Sequence, residues 1–171
     1  MNSSLTGLSS SDFPIYFKKV AELQNHCLGV RPIDRVPNKI PVKKFIILNL
    51  SPSTHPGSHW VVLIRPHGNE LELFNSLGSK DLADIKPYLN FNFKADLSFN
   101  NTPVQLPTSS TCGLFCIYFA AHRLFNLDES FEEFLEENFS TSLQENENKV
   151  TAFCQHLLNI SDDAHLFEFS L

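Results

Sequence analysis

The sequence predicts an α+β fold with a small mixed or antiparallel central sheet and a buried helix that starts at a cysteine. Short runs rich in Ile, Val, Leu, Phe and Trp recur between residues 44 and 74, separated by clusters of Pro, Gly, Ser and Asn. From Cys112 to Phe125 the apolar residues cover almost the whole helical circumference, the pattern of a helix enclosed by its neighbours. Two more helical segments follow, the last with Val150, Phe153, Cys154, Leu157 and Leu158 on one face.

Taken in chain order, Phe13, Tyr16, Phe17, Val20, Ala21 and Leu23 recur at helical spacing behind Asp12 and Pro14, which predicts one amphipathic helix ending near His26. Residues 27–41 are rich in Pro and turn formers and read as an irregular surface stretch. Strands are expected over Lys44–Leu50, His59–Arg65 and Leu71–Phe74. The turn Pro66-His67-Gly68-Asn69 should make the last two an antiparallel hairpin. In such a hairpin the start of the first strand neighbours the end of the second, so His59 and Asn75 are expected side by side. A short helix over Ser79–Leu89 and an extended segment over Phe91–Thr102, continuing through Val104-Gln105, lead to the Cys112 helix. Helices over Glu129–Phe139 and Leu143–Asn159 close the series.

With 171 residues, 42% of them apolar and sixteen of them Phe, the chain can build one core, so residues 1–171 are expected to form a single domain with a flexible start over 1–10. A formal charge of -6 provides no basic field, and nucleic acid is not expected as a partner. The Ser-rich N-terminus lacks the basic and apolar regions of a secretory signal, and the longest apolar run, Cys112–Ala121, is about half of a bilayer crossing. An intracellular protein with no membrane partner is expected. The cysteines at 27, 112, 116 and 154 are too few and dispersed for a disulfide framework, and reduced thiols are expected. No metal site or cofactor is expected, because Cys112, Cys116, Cys154 and His156 lack the paired spacing of a structural zinc site.

The chemistry gathers around Cys112. A thiol at a helix N-terminus sits where unpaired N–H groups carry partial positive charge, which favours the thiolate. Gly113 lets a substrate backbone approach, and neighbouring N–H groups can donate to a developing oxyanion. Among seven histidines, only His59 opens a strand beside a tryptophan, in His59-Trp60-Val61-Val62. Gln105 lies seven residues before Cys112, in a loop that turns into the helix. Its side-chain amide beside the Cys112 N–H would make a two-donor oxyanion hole. Cys116, one turn further in, reads as core.

The order His59-Trp60, then Leu73-Phe74-Asn75-Ser76-Leu77-Gly78, then Gln105 and Cys112-Gly113-Leu114-Phe115-Cys116 resembles the adenovirus protease (adenain) family, and more distantly the ubiquitin-like-protein proteases of the same clan. The resemblance runs from His59 to Arg123, with weaker echoes at Cys27-Leu28-Gly29-Val30 and Leu166-Phe167-Glu168-Phe169. It implies a papain-like, adenain-like cysteine protease of a virus or virus-like mobile element. Cys112 would attack the scissile carbonyl, His59 would move the proton and Gln105 would bind the oxyanion. Trp60 would pack beside the pair, and a narrow cleft near Gly29 and Trp60 would favour small residues, Gly above all, next to the cut. Asn75 falls where the family places an acidic residue. A neutral amide can still fix the imidazole tautomer, with less charge stabilisation of an imidazolium.

The implied partners are capsid or other precursor polypeptides, and the implied protein is a monomer in the host nucleus or cytoplasm or packaged in the virion. The family's activator peptide is tethered through a cysteine ahead of the catalytic Gln, and no cysteine lies between Cys27 and Cys112. A disulfide-tethered activator is therefore not expected, while a noncovalent one stays open. Two other readings stand beside this one: a ubiquitin- or SUMO-like deconjugating protease, and an inactive relative serving as a binding module.

Overall fold

The computed structural model describes residues 7–89 and 95–160. The first six residues of the expected flexible start, the Phe91–Lys94 part of the expected extended segment and the Leu166–Phe169 motif lie outside the described residues.

Five strands form one mixed sheet in the order β1 (Cys27–Pro32), β2 (Lys44–Asn49), β3 (Trp60–Arg65), β4 (Glu70–Phe74) and β5 (Asp96–Phe99). The outer pairs are parallel, while β2–β3 and β3–β4 are antiparallel. Side chains alternate across the sheet, which divides the core in two. Phe45, Ile47, Val62, Ile64 and Phe74 face the large cluster around the central helix. Ile46, Leu48, Val61, Leu63, Leu71 and Leu73 face a smaller one with Ile33, Ile85 and Leu89. Because both faces of β2 and β3 are covered, these strands read as continuous apolar runs.

The helices are α1 (Phe13–Phe17), α2 (Ala21–His26), α3 (Leu82–Leu89), α4 (Cys112–Phe125), α5 (Phe131–Asn138) and α6 (Leu143–Asn159). Helix α4 packs on β3, and Cys112 through Ala121 are all buried. The Phe74 ring stacks on Phe119 with centroids 4.3 Å apart, fastening β4 to α4. Helix α5 opens with a capping box between Ser130 and Glu133. Among the described residues, no helix is long and apolar enough to cross a membrane.

Three local expectations give way. The single N-terminal helix is broken into α1 and α2 at Lys18–Val20, where Val20 adopts an extended backbone and turns its side chain fully inward. The stretch read as irregular surface contains β1 and a 3-10 turn at Ile33–Arg35. Strand β1 is only partly buried, and a bulge between Cys27 and Val30 at Gly29 (φ 124) removes the period of two that marks a strand. Val104 and Gln105 do not continue β5 but lie in the loop before α4.

A buried ion pair ties the sheet to the far end of α4. Arg123 donates from Nε to Glu72 Oε2 at 2.8 Å and from Nη2 to Glu72 Oε1 at 2.6 Å, and both side chains are almost fully enclosed. Breaking such a pair leaves a charge in the core. Glu72→Ala is therefore expected to lower unfolding free energy by about 3–5 kcal/mol in urea titrations. A loss under about 1 kcal/mol, the range of an exposed pair, would contradict the enclosure.

Candidate active site

The β3–β4 register, with Val62 opposite Phe74, brings the residue before β3 beside the residue after β4. His59 Nε2 lies 2.7 Å from Asn75 Oδ1. The same Oδ1 accepts from the Leu77 backbone N–H at 2.9 Å, so the amide oxygen, not its nitrogen, faces this side. Nε2 must then carry the proton. Nδ1 is left as the basic nitrogen, the atom that can accept from a thiol.

Asn75 itself is 3% exposed and held from three directions. Asn100 clamps its backbone, accepting from Asn75 N–H at 2.9 Å and donating from Nδ2 to the Asn75 carbonyl at 2.6 Å. The turn that follows needs glycine at position 78: its φ is 75, and a Cβ there would lie 2.7 Å from the Asn101 carbonyl oxygen. The remaining amide donor, Asn75 Nδ2, faces Asp81 Oδ2 at 3.4 Å.

His59, Trp60, Gln105 and Cys112 line one cleft of about 680 Å³ together with Asn49, Leu77 and residues 7–10. Asn49 shapes its rim by accepting from Ser51 N–H and Ser58 N–H through Oδ1. The chain start expected to be loose lies against this cleft over residues 7–10. Trp60 Nε1 donates to the Leu8 carbonyl at 2.9 Å, and the Leu8 side chain packs where a Cβ on Gly113 would be, 2.9 Å away. Any larger residue than glycine at 113 would collide with it.

Gly29, expected beside the cut, is not among the residues lining the cleft. It lies on β1 alongside Phe45–Ile47, one strand beyond β2, whereas the cleft opens at the Asn49 end. Gln105 is 1% exposed, and its Oε1 accepts from Ser76 Oγ at 2.5 Å. Its Nε2 points to the Ser109 carbonyl and hydroxyl at 3.1 and 3.0 Å. Both amide hydrogens thus have acceptors on Ser109, and the side chain would have to release one of them to donate into the cleft.

Burial dominates the electrostatics of the pair. It pushes the Cys112 thiol up, against the N–H groups of Trp60, Gly113 and Cys112 itself, while the Glu147 charge adds to the rise. Burial therefore works against the pull of the helix N-terminus on the thiol. Burial likewise pulls His59 down, opposed by the Asn75 hydrogen bond and the Asp81 charge and assisted by Lys80. Both shifts favour the neutral form of the group concerned, thiol and imidazole. Cys27, Cys116 and Cys154 are also raised by burial, Cys27 to about 11, and all four thiols are free.

Glu147, on α6, was not legible as part of the site. Its carboxylate is 7% exposed and accepts from Leu106 N–H at 3.1 Å, Ser109 Oγ at 2.6 Å and Thr111 Oγ1 at 2.7 Å. It thereby pins the loop between Gln105 and Cys112. It also draws Thr111, the residue before α4, away from capping the helix, whose N-cap makes no side-chain bond. The Cys112 and Gly113 N–H groups are left facing the thiol.

An α+β fold that gathers a thiol, an imidazole with a fixed tautomer and a buried amide around one cleft defines a site suited to thiol-based nucleophilic chemistry. No protein-family model matches the chain. It is 30% identical over 132 residues to the protease of Ovine adenovirus D serotype 7 (isolate OAV287), covering 67% of this chain and 64% of that protein. It is 33% identical over 88 residues to the protease of Snake adenovirus serotype 1, covering 43% of each. Among solved structures, the ASFV pS273R protease aligns with 68% of this chain and 45% of its own at 21% identity, with a TM-score of 0.41. The chain is similar to these two adenovirus proteases, and its matched part spans 64% and 43% of their lengths.

Replacing Glu147 by Gln turns an amide donor toward groups that themselves donate. Two effects are expected. Unfolding free energy falls by about 1–3 kcal/mol in urea titrations, and the Cys112 thiol titrates at lower pH because a negative charge is gone. An unchanged or raised thiol pKa would contradict the assigned contact.

Proposed function

We propose that this chain is a cysteine endopeptidase that cleaves precursor polypeptides of a virus or virus-like element, with Cys112 as nucleophile, His59 as general base and acid, Asn75 as the residue that orients the imidazole and Gln105 as an oxyanion donor. The observation that carries the reading is the 2.7 Å contact between His59 Nε2 and Asn75 Oδ1 at the edge of the cleft that Cys112 lines. The relationship to adenovirus proteases supports the substrate class.

Attack begins from the neutral pair. The Cys112 S–H proton passes to His59 Nδ1 as sulfur bonds to the scissile carbonyl carbon, and the carbonyl oxygen takes the negative charge. Backbone N–H groups at the start of α4 stabilise it, joined by a Gln105 amide hydrogen released from Ser109. The C–N bond breaks, the imidazolium gives its proton to the leaving amine and a thioester remains on Cys112. Water, deprotonated by the same Nδ1, then releases the carboxylate and restores the thiol. Asn75 keeps Nε2 protonated throughout, so Nδ1 is always the working nitrogen. The closeness of Trp60 and Leu8 to Cys112 favours small residues at the cut, and the reading puts the work inside the host cell or the particle.

Hydrolysis of Gly-containing viral-type peptides is expected to disappear in Cys112→Ala and to fall by about two to four orders of magnitude in His59→Ala, the usual worth of a positioned acid–base group. Full activity in Cys112→Ala would end the proposal. A protonated imidazole cannot accept the thiol proton, so kcat/KM must fall as pH drops through the His59 pKa. Because that pKa is lowered, the acid limb should have its midpoint below the ordinary 6.5 of histidine. A limb centred above that value would contradict the burial argument. Faster release of ubiquitin or SUMO from C-terminal probes than of viral-type peptides would instead favour a deconjugating enzyme.

A further inference from the structure

The neutral amide at position 75 leaves the imidazolium formed in each cycle without an adjacent negative charge. A carboxylate stands one residue further out. Asn75 Oδ1 is committed to His59 and Leu77 N–H, which turns Nδ2 outward, and its acceptor there is Asp81 Oδ2 at 3.4 Å. The two halves of one buried amide thus join an imidazole N–H on one side to a carboxylate on the other. From this juxtaposition we propose that Asp81 is a positioning residue of the site: it holds and polarises the Asn75 amide and, through it, supplies the negative charge for His59 that position 75 lacks. The inference rests on the protease reading above for its catalytic consequence, but not for its effect on the imidazole.

The geometry suits that role. A carboxylate accepting from Nδ2 draws electron density through the amide and makes Oδ1 a better acceptor for the Nε2 proton. It also blocks the flipped amide, in which a nitrogen would face the imidazole N–H and an oxygen would face a carboxylate. Asp81 ends a 3-10 turn (Gly78–Asp81) that the Gly78 backbone fold and the Gly78 N–H to Asn75 carbonyl bond attach directly to the residue it supports. The charged groups acting on His59 are Asp81 and Lys80, both on this turn and of opposite sign, with the Cys112 thiol of α4 sharing its cleft. The opposing lysine makes a built-in control.

The competing role for Asp81 is structural. It immediately precedes α3, where an aspartate can cap a helix. Asparagine caps equally well, so Asp81→Asn removes the charge and keeps the cap.

The test is an NMR titration of the His59 ring in the full chain, with its resonances assigned by loss in His59→Gln, compared among wild type, Asp81→Asn and Lys80→Gln. Asp81→Asn should lower the His59 midpoint and Lys80→Gln should raise it. In hydrolysis assays Asp81→Asn should reduce kcat about two- to fivefold with KM unchanged, the worth of a partly exposed charge, and move the acid limb of the pH profile downward. In an Asn75→Ala background Asp81→Asn should have a clearly smaller effect on both readouts, because the relaying amide is gone and only the direct pull of the charge on His59 remains. A His59 titration unchanged by Asp81→Asn overturns the proposal, and so does an effect that persists in full without Asn75. Since the titration needs no turnover, a chain that cleaves no peptide would sink the protease reading while the NMR result still decides the part played by Asp81.

Discussion

The antiparallel register of β3 and β4 is the constraint on which the site depends. Two strands joined by a four-residue turn put position 59 and position 75 at the same end of the sheet, and the hydrogen bond between them fixes which imidazole nitrogen is basic. A slip of one residue would turn every side chain of β4 to the other face, taking Phe74 off Phe119 and Glu72 off Arg123. The ring stack, the buried ion pair and the catalytic geometry therefore hold one another in register. The stability of the core and the placement of the imidazole are the same fact seen from two sides of the hairpin.

The nucleophile's side is held differently. Cys112 begins a helix whose first ten residues are buried, so the backbone there has little freedom, but the loop before it runs on the surface and needs its own anchor. Glu147 provides one from α6, gathering a backbone N–H and two hydroxyls. A buried carboxylate with no cation partner among the described residues is costly unless its lone pairs are filled. Here they are filled by the segment that must be fixed. The cost is also chemical, because the same charge adds a little to the rise that burial imposes on the thiol. Burial shifts both groups of the pair toward their neutral forms, which favours a reaction that couples proton transfer to attack.

Much of this was legible in the sequence, for identifiable reasons. Strands β2, β3 and β4 announced themselves because both faces of the sheet are covered and their residues are uniformly apolar between turn formers. Helix α4 did so because it is apolar all round. The pairing of His59 with Asn75 followed from turn chemistry alone. Strand β1 escaped because it is half-buried and bulged at Gly29, and the N-terminal helix was read as continuous because the break at Lys18–Val20 keeps Val20 inward. Gly29 was placed at the cleft from a motif whose strand lies too far across the sheet. Asn100, Asp81 and Glu147 left no local trace: their partners lie 25, 6 and 36 to 41 residues away, and a polar residue shows its long-range hydrogen bonds only once the chain has folded. Each also stands among other polar residues, as Glu147 does in Gln144–Lys149, so polarity alone did not mark it.

The central claim is that the thiol of Cys112 and the imidazole of His59 act as one reactive unit. Its most direct measurement is the rate at which iodoacetamide alkylates each cysteine of the native chain at neutral pH, mapped by mass spectrometry, in wild type and in His59→Ala. The account predicts that Cys112 reacts well ahead of Cys27, Cys116 and Cys154, and that this lead vanishes without His59. If Cys112 reacts no faster than the buried Cys116, or keeps its full rate when His59 is removed, the two groups do not work together and the account is wrong.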